Sequence, residues 1–243
     1  MRVAGRLTEA QTERLFAHLP VGMAVADEND TIRFWAGATF VDCSPRLIGR
    51  DIHASHPKRA RDSLASLLDS FKSRQQDVVD RIEESSLGPE RFIYTALRDE
   101  RGVYRGVLQT VLPVEWRSGG GRVPKAGQLT EDLLALVLAH MPVSLGFADE
   151  GGVLRFWAGD GFSTCDPELI GRDLVEGHAQ RNQRGVANLL EDLASGKDEV
   201  STDDGVEHVV YSALRDDEGV YRGVLETVVS LGAAASPDGM GDA

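Results

Sequence analysis

Asp99-Glu100-Arg101-Gly102-Val103-Tyr104-Arg105-Gly106-Val107-Leu108 returns later in the chain as Asp216-Asp217-Glu218-Gly219-Val220-Tyr221-Arg222-Gly223-Val224-Leu225. An acidic, glycine-ended tetrad before a Val/Tyr/Leu run reads as a tight turn feeding a strand. The match continues outward in both directions. Arg33-Phe34-Trp35-Ala36-Gly37 returns as Arg155-Phe156-Trp157-Ala158-Gly159, and Leu47-Ile48-Gly49-Arg50-Asp51 as Leu169-Ile170-Gly171-Arg172-Asp173. Residues 7–114 thus recur as 129–231, which makes the sequence its own two-member comparison.

A repeat of about 100 residues is a common size for a module with its own core, so two globular domains are expected over 1–114 and 129–231. Residues 115–128, with Gly119-Gly120-Gly121 and Pro124, read as a linker, and 232–243 as a small-residue tail too poor in apolar groups to order itself. The net charge of −13 repels a phosphate backbone, so no nucleic-acid partner is expected. Cys43 and Cys165 occupy matched positions in different repeats, so neither copy can close a disulfide within itself. That usage fits a reducing compartment, and a cytoplasmic protein with no membrane contact is expected, since no run is long and apolar enough to span a bilayer.

The pattern within each repeat predicts an amphipathic helix over 7–18, then a hairpin of strands 23–26 and 31–35 turned by Asp27-Glu28-Asn29-Asp30. A polar stretch leads to a longer helix over 57–74, whose Ala60, Leu64, Leu67, Leu68 and Phe71 share one face. Val186, Leu189, Leu190 and Leu193 do the same in the second copy. Three strands near 78–82, 92–97 and 104–114 close the repeat. The counterpart of the first helix carries Leu133, Leu134, Leu136, Val137 and Leu138 around most of its circumference. Burial on more than one side follows, either between the modules or across a homodimer formed by helix 129–140.

This order is similar to that of a PAS domain, an α+β fold with a five-stranded antiparallel sheet covered on one face by helices. The phrases Leu47-Ile48-Gly49-Arg50-Asp51, His56-Pro57 and Asp99 to Leu108 resemble the PAS-like module of bacterial proteins that also carry hemerythrin-like domains. The Cys-His-Pro-Pro phrase of that family stands here as Ser55-His56-Pro57-Lys58 and Gly177-His178-Ala179-Gln180.

The resemblance implies a ligand cavity and, for its haem-binding members, an axial histidine from this helical region. His56 and His178 are the matched candidates for holding one haem b per module, since imidazole ligates haem iron; the alternative is a helix-capping imidazole. Trp35 and Trp157 would wall the pocket, with Leu64, Leu68, Val186 and Leu190 as its apolar lining. Arg50 and Arg172 are candidates for a haem propionate or for an Arg–Asp brace at a helix start. Cys43, Cys165 and His53 are lesser candidates for the metal. His18 and His140 close their helices, where an imidazole favours the negative end of the dipole, and His208 is expected to be solvated.

The leading expectation is a tandem PAS ligand-binding protein, holding haem and sensing a gas, a redox change or another small molecule. Its output would pass through a separate effector protein. The alternatives are a haem-dependent oxidoreductase doing oxidative or N–O chemistry, and a cofactor-free module for dimerisation or interaction. Hydrolase triads and phosphate loops find no match here.

Overall fold

The computed structural model describes residues 3–37, 44–85, 88–114, 123–159, 167–203 and 206–230. In chain order these form β1 (Val3–Gly5), α1 (Glu9–Ala17), β2 (Gly22–Asp27), β3 (Ile32–Ala36), α2 (Arg61–Lys72), β4 (Val78–Ser85), β5 (Gly88–Arg98) and β6 (Tyr104–Pro113). The second half follows with β7 (Lys125–Gly127), α3 (Glu131–His140), β8 (Ser144–Asp149), β9 (Leu154–Ala158), α4 (Gln180–Ser195), β10 (Glu199–Asp203), β11 (Glu207–Arg215) and β12 (Tyr221–Ser230). The α+β architecture expected from the repeat is present twice. Among the described residues, no helix is long and apolar enough to cross a membrane.

Each sheet has six antiparallel strands rather than five, and the sixth comes from outside residues 7–114 and 129–231. The first runs β4-β5-β6-β2-β3-β7 and the second β10-β11-β12-β8-β9-β1. The stretch expected to be a plain linker therefore contributes β7 to the edge of the first sheet, where Trp35 faces Ala126 across the ladder. The N-terminal β1 crosses to the second sheet, with Ala4 opposite Trp157. Val123 donates its backbone N–H to Ala17 O at 2.6 Å, and Lys125 pairs with Glu13. The chain before the first helix of each module is thus bound to the other module's sheet.

Four turns are built alike. Asp27 Oδ1 accepts the backbone N–H groups of Asn29 and Thr31, and its Oδ2 takes Arg33 at 2.6 Å. Asp99 with Arg105, Asp149 with Arg155 and Asp216 with Arg222 repeat the arrangement at the other three hairpins. An aspartate whose side chain bonds its own backbone two residues on favours a turn locally, and an arginine six residues later clamps the carboxylate from the next strand. These clasps account for the acidic start and the arginine of the repeated phrase.

One core joins the two modules. Leu15, Phe16 and Leu19 of the α1 region, Phe34, Leu108 and Leu112 of the first sheet, Val137 and Leu138 of α3, and Phe156, Leu214 and Leu225 of the second sheet belong to a single buried cluster. Thr8 starts α1 with a reciprocal capping bond to Gln11, and Thr130 caps α3 in the same place. α3 packs on β5 and β6 of the first module, while α1 packs on β11 of the second. The all-round apolar character of α3 is therefore used within one chain, between modules. Each module keeps a second core on its other sheet face, under α2 or α4.

Candidate ligand-binding site

The face of each sheet turned away from the shared core carries the chemistry. Strand alternation puts Phe34 and Phe156 into the inter-module core and the adjacent Trp35 and Trp157 on the opposite face. In the second module that face borders a cavity of about 850 Å³, within the usual size of small-molecule sites. Its floor is Leu154, Trp157, Val209, Tyr211, Glu226 and Val228 from the sheet; α4 covers it with Val186 and Leu189, and Arg181, Asn182 and Asn188 stand exposed at the mouth. The indole N–H of Trp157 is buried with no acceptor among the described residues.

His178 lies on this wall. Its Nδ1 bonds Leu174 O at 2.8 Å, which aims Nε2 inward. Nε2 is 3.4 Å from both Glu226 Oε1 and the Tyr211 hydroxyl, and that hydroxyl donates to Glu226 Oε1 at 2.9 Å. The Glu226 carboxylate raises the His178 pKa against the opposing effect of burial. Tyr211 is pushed well above its ordinary value by burial and then by the same carboxylate. A buried carboxylate thus favours the protonated imidazole of His178 and keeps the Tyr211 phenol neutral.

The first module has the same histidine without the charge. His56 Nδ1 lies 3.1 Å from Ile52 O and 3.0 Å from Ser55 Oγ, and Nε2 is 3.4 Å from the Tyr94 hydroxyl. Tyr94 pairs across the ladder with Gln109, as Tyr211 pairs with Glu226. Burial lowers the His56 pKa, and the nearby Arg81 adds to that effect. The two histidines are therefore expected to titrate on opposite sides of 6.5, with His178 above and His56 below. The raised His178 contributes stability that is fully present below 6.5 and is lost as pH climbs through its folded value. The lowered His56 acts in the opposite sense, removing stability as pH falls below 6.5. Imidazole NMR titrations check both, and Glu226→Gln is expected to bring the His178 midpoint down towards that of His56. An unchanged His178 midpoint in that variant would remove Glu226 as the cause.

The other expected site residues divide. Leu64 and Leu68 are buried on the inner face of α2, and Val186 lines the second-module cavity, whereas Leu190 is half-buried against the core and not on the cavity wall. Arg50 and Arg172 point to solvent; it is their backbone carbonyls that are used, accepting from Ile32 and Leu154. Neither arginine lines the second-module cavity, and the Arg172 guanidinium stands 4.0 Å from Glu168. His53 bonds Asp51 at 2.6 Å, local to its loop. His18 and His140 bond the carbonyls of Arg14 and Leu136 at their helix ends, as expected. His208, expected to be solvated, is instead buried in β11 opposite Val229 with Asp203 at 3.5 Å. Cys43 and Cys165 lie outside the described residues.

Glu226 was missed by the sequence reading because attention rested on what the copies share. The signal was available: Val107-Leu108-Gln109-Thr110-Val111 against Val224-Leu225-Glu226-Thr227-Val228 differs at one position, and there a charge enters a strand interior.

A family model described as PAS domain matches residues 12–115 and 134–231. No curated protein matches the chain. Among solved structures, a C-terminal domain from Streptococcus mutans is similar at 24% identity with a TM-score of 0.41, covering 45% of this chain and 87% of its own. A sensory box sensor histidine kinase from Vibrio cholerae is similar at 14% identity with a TM-score of 0.34, covering 44% and 90%. The sensor region of a sensor histidine kinase aligns over 90% of this chain and 87% of its own, at 14% identity and a TM-score of 0.31. The two matches cover nearly all of each repeat, and the chain belongs to the PAS domain family, with two copies sharing one core.

Proposed function

We propose that this chain is a sensory PAS pair in which the second module binds a small molecule and the first serves as its packed partner. The observation that supports this most directly is the cavity of about 850 Å³ with the His178, Tyr211 and Glu226 network on its wall. Occupation of that cavity would alter the sheet whose opposite face forms the inter-module core, so binding is felt by the first module.

Haem, the cofactor implied by the resemblance, does not fit the described residues well. An axial histidine needs its Nε2 free, with iron close by and the other ring nitrogen held by a carbonyl. His178 meets the second condition and not the first, because Nε2 faces Glu226 and Tyr211, and the carboxylate favours the protonated ring that cannot ligate. In the first module, Nε2 of His56 faces the Tyr94 hydroxyl, and the guanidinium of Arg81 lies over the Tyr94 ring.

Thermal unfolding in the presence of small-molecule panels tests the proposal. A ligand at a hundredfold excess over its Kd is expected to add about 2.7 kcal/mol, a rise of about 5–10 °C for a chain of this size. Filling the cavity with Val209→Phe should abolish that rise. Hemin titration provides the opposing outcome: a stoichiometric Soret band lost in His178→Ala would replace the small-molecule reading with haem.

A further inference from the structure

The two modules differ where ligand chemistry would be decided, and the first carries within itself a model of what the second lacks. In the first module Arg81 sits on β4 opposite Phe92, and its guanidinium carbon lies 5.3 Å from the centre of the Tyr94 ring. In the second module the same ladder position, opposite Val209, is Thr202. Tyr211, the counterpart of Tyr94, lines the cavity instead of lying under an arginine. The neighbouring Gln109 has at the same time become Glu226, which adds a carboxylate beside that ring. A cation was taken away and an anion put in.

We infer that the second-module cavity takes an organic cation, an amine or guanidinium group on a small apolar body, seated over Tyr211 and against Glu226. This rests on the reading of that cavity as a ligand site and gives it a ligand class. The apolar body would lie between Val186 and Leu189 of α4 and Val228 of the sheet. The charges around the cavity agree in sign. Glu226, Glu207, Asp173 and Asp192 line it against Arg181 and His178, and although Lys197 already holds Asp192, the balance remains negative. A desolvated cation over an aromatic face is favoured by the ring quadrupole, and a carboxylate beside it adds a charge-assisted hydrogen bond.

His178 makes the assignment sharper. In the first module burial lowers the His56 pKa, and the Arg81 guanidinium is among the charges that lower it further. A ligand cation in the matching place would compete with the His178 imidazolium for Glu226 and drive its proton off. Binding should therefore release a proton and strengthen as pH rises through the His178 titration.

The test is calorimetric titration of the full chain with phenylguanidine, its neutral isostere phenylurea, and benzoate. Phenylguanidine is expected to bind about tenfold or more tightly than phenylurea, to lose about tenfold in Glu226→Gln, and to release a proton in paired buffers of different ionisation enthalpy. Thr202→Arg, which restores the first module's own cation, is expected to abolish binding while circular dichroism and the unfolding midpoint stay near wild type. Should that variant fail to fold, Thr202→Lys provides the same block with a slimmer side chain. Equal or tighter binding of phenylurea or benzoate would overturn the cation assignment while leaving the cavity as a ligand site. No heat with any of the three up to millimolar concentration would overturn both.

Discussion

Gly106→Ala is expected to destabilise the protein by at least about 3 kcal/mol, although it adds one methyl group. Gly106 has φ +144°, and a Cβ there would stand 2.1 Å from Ala26 O and 3.0 Å from Asp27 Cα. Backbone relief is blocked on both sides, because β6 is a central strand and Gly106 pairs with Asp27 on β2 and with Leu97 on β5. Gly223 repeats the situation against Ala148 O at 2.2 Å. The control is Gly219→Ala, at φ +78° with no atom within 4 Å of the added carbon; there the cost should be near the about 1 kcal/mol of an unfavourable φ alone. Urea midpoints of the three variants check the ordering. Equal losses at Gly106 and Gly219 would show that close approach between strands is not what holds glycine in the repeated phrase.

The fold was legible because the sequence states it twice. Turn tetrads, strand alternation and the apolar stripe of the long helix agree between copies at positions such as Tyr94 and Tyr211 or Leu64 and Val186. The exchanged edge strands were not read, since three residues are too few for any periodicity to register. Their trace was nevertheless present. Ala4-Gly5-Arg6-Leu7 matches Ala126-Gly127-Gln128-Leu129, so the repeat begins before Leu7. The glycine is demanded by contact: at φ +81° and +88°, a Cβ on Gly5 or Gly127 would meet Arg155 O or Arg33 O at 2.1 Å.

The site was legible in part, and for a different physical reason. His56 and His178 were found because they match, yet matching selects what both modules need for folding. Their Nδ1 bonds to Ile52 and Leu174 show that shared need. What separates the modules lies at unmatched positions: Thr202 for Arg81, Val209 for Phe92, Leu193 for Phe71 and Glu226 for Gln109. The first three remove bulk and the last adds charge, so one topology carries two differently lined sheet faces. His208 was misjudged because burial of a lone histidine is set by tertiary packing, which a single strand's pattern does not contain.

Leu15→Ala should lower the stability of both modules together, by about 2–5 kcal/mol. Leu15 is fully buried in α1, and its cluster includes Leu214, Leu225 and Val229 of the second sheet alongside Val25 and Phe34 of the first. The backbone N–H of Arg215 also lies 3.5 Å from His18 Nε2 at the end of the same helix. A cavity left there removes contacts from both sheets at once, since packed interiors relax only partly around a lost side chain. Two backgrounds that each keep one tryptophan, Trp35 or Trp157, report the modules separately. Coincident midpoints, both shifted by Leu15→Ala, are the expected result. A shift confined to the Trp35 reporter would mean that the modules unfold independently. Coincidence has a functional consequence. The Trp157 face borders the cavity proposed to bind a ligand, and the opposite face of that sheet is packed into the core that α1 and the first sheet share. Binding energy spent in the second module can then bias the packing of the first without any separate relay, because the element that would switch is the core itself.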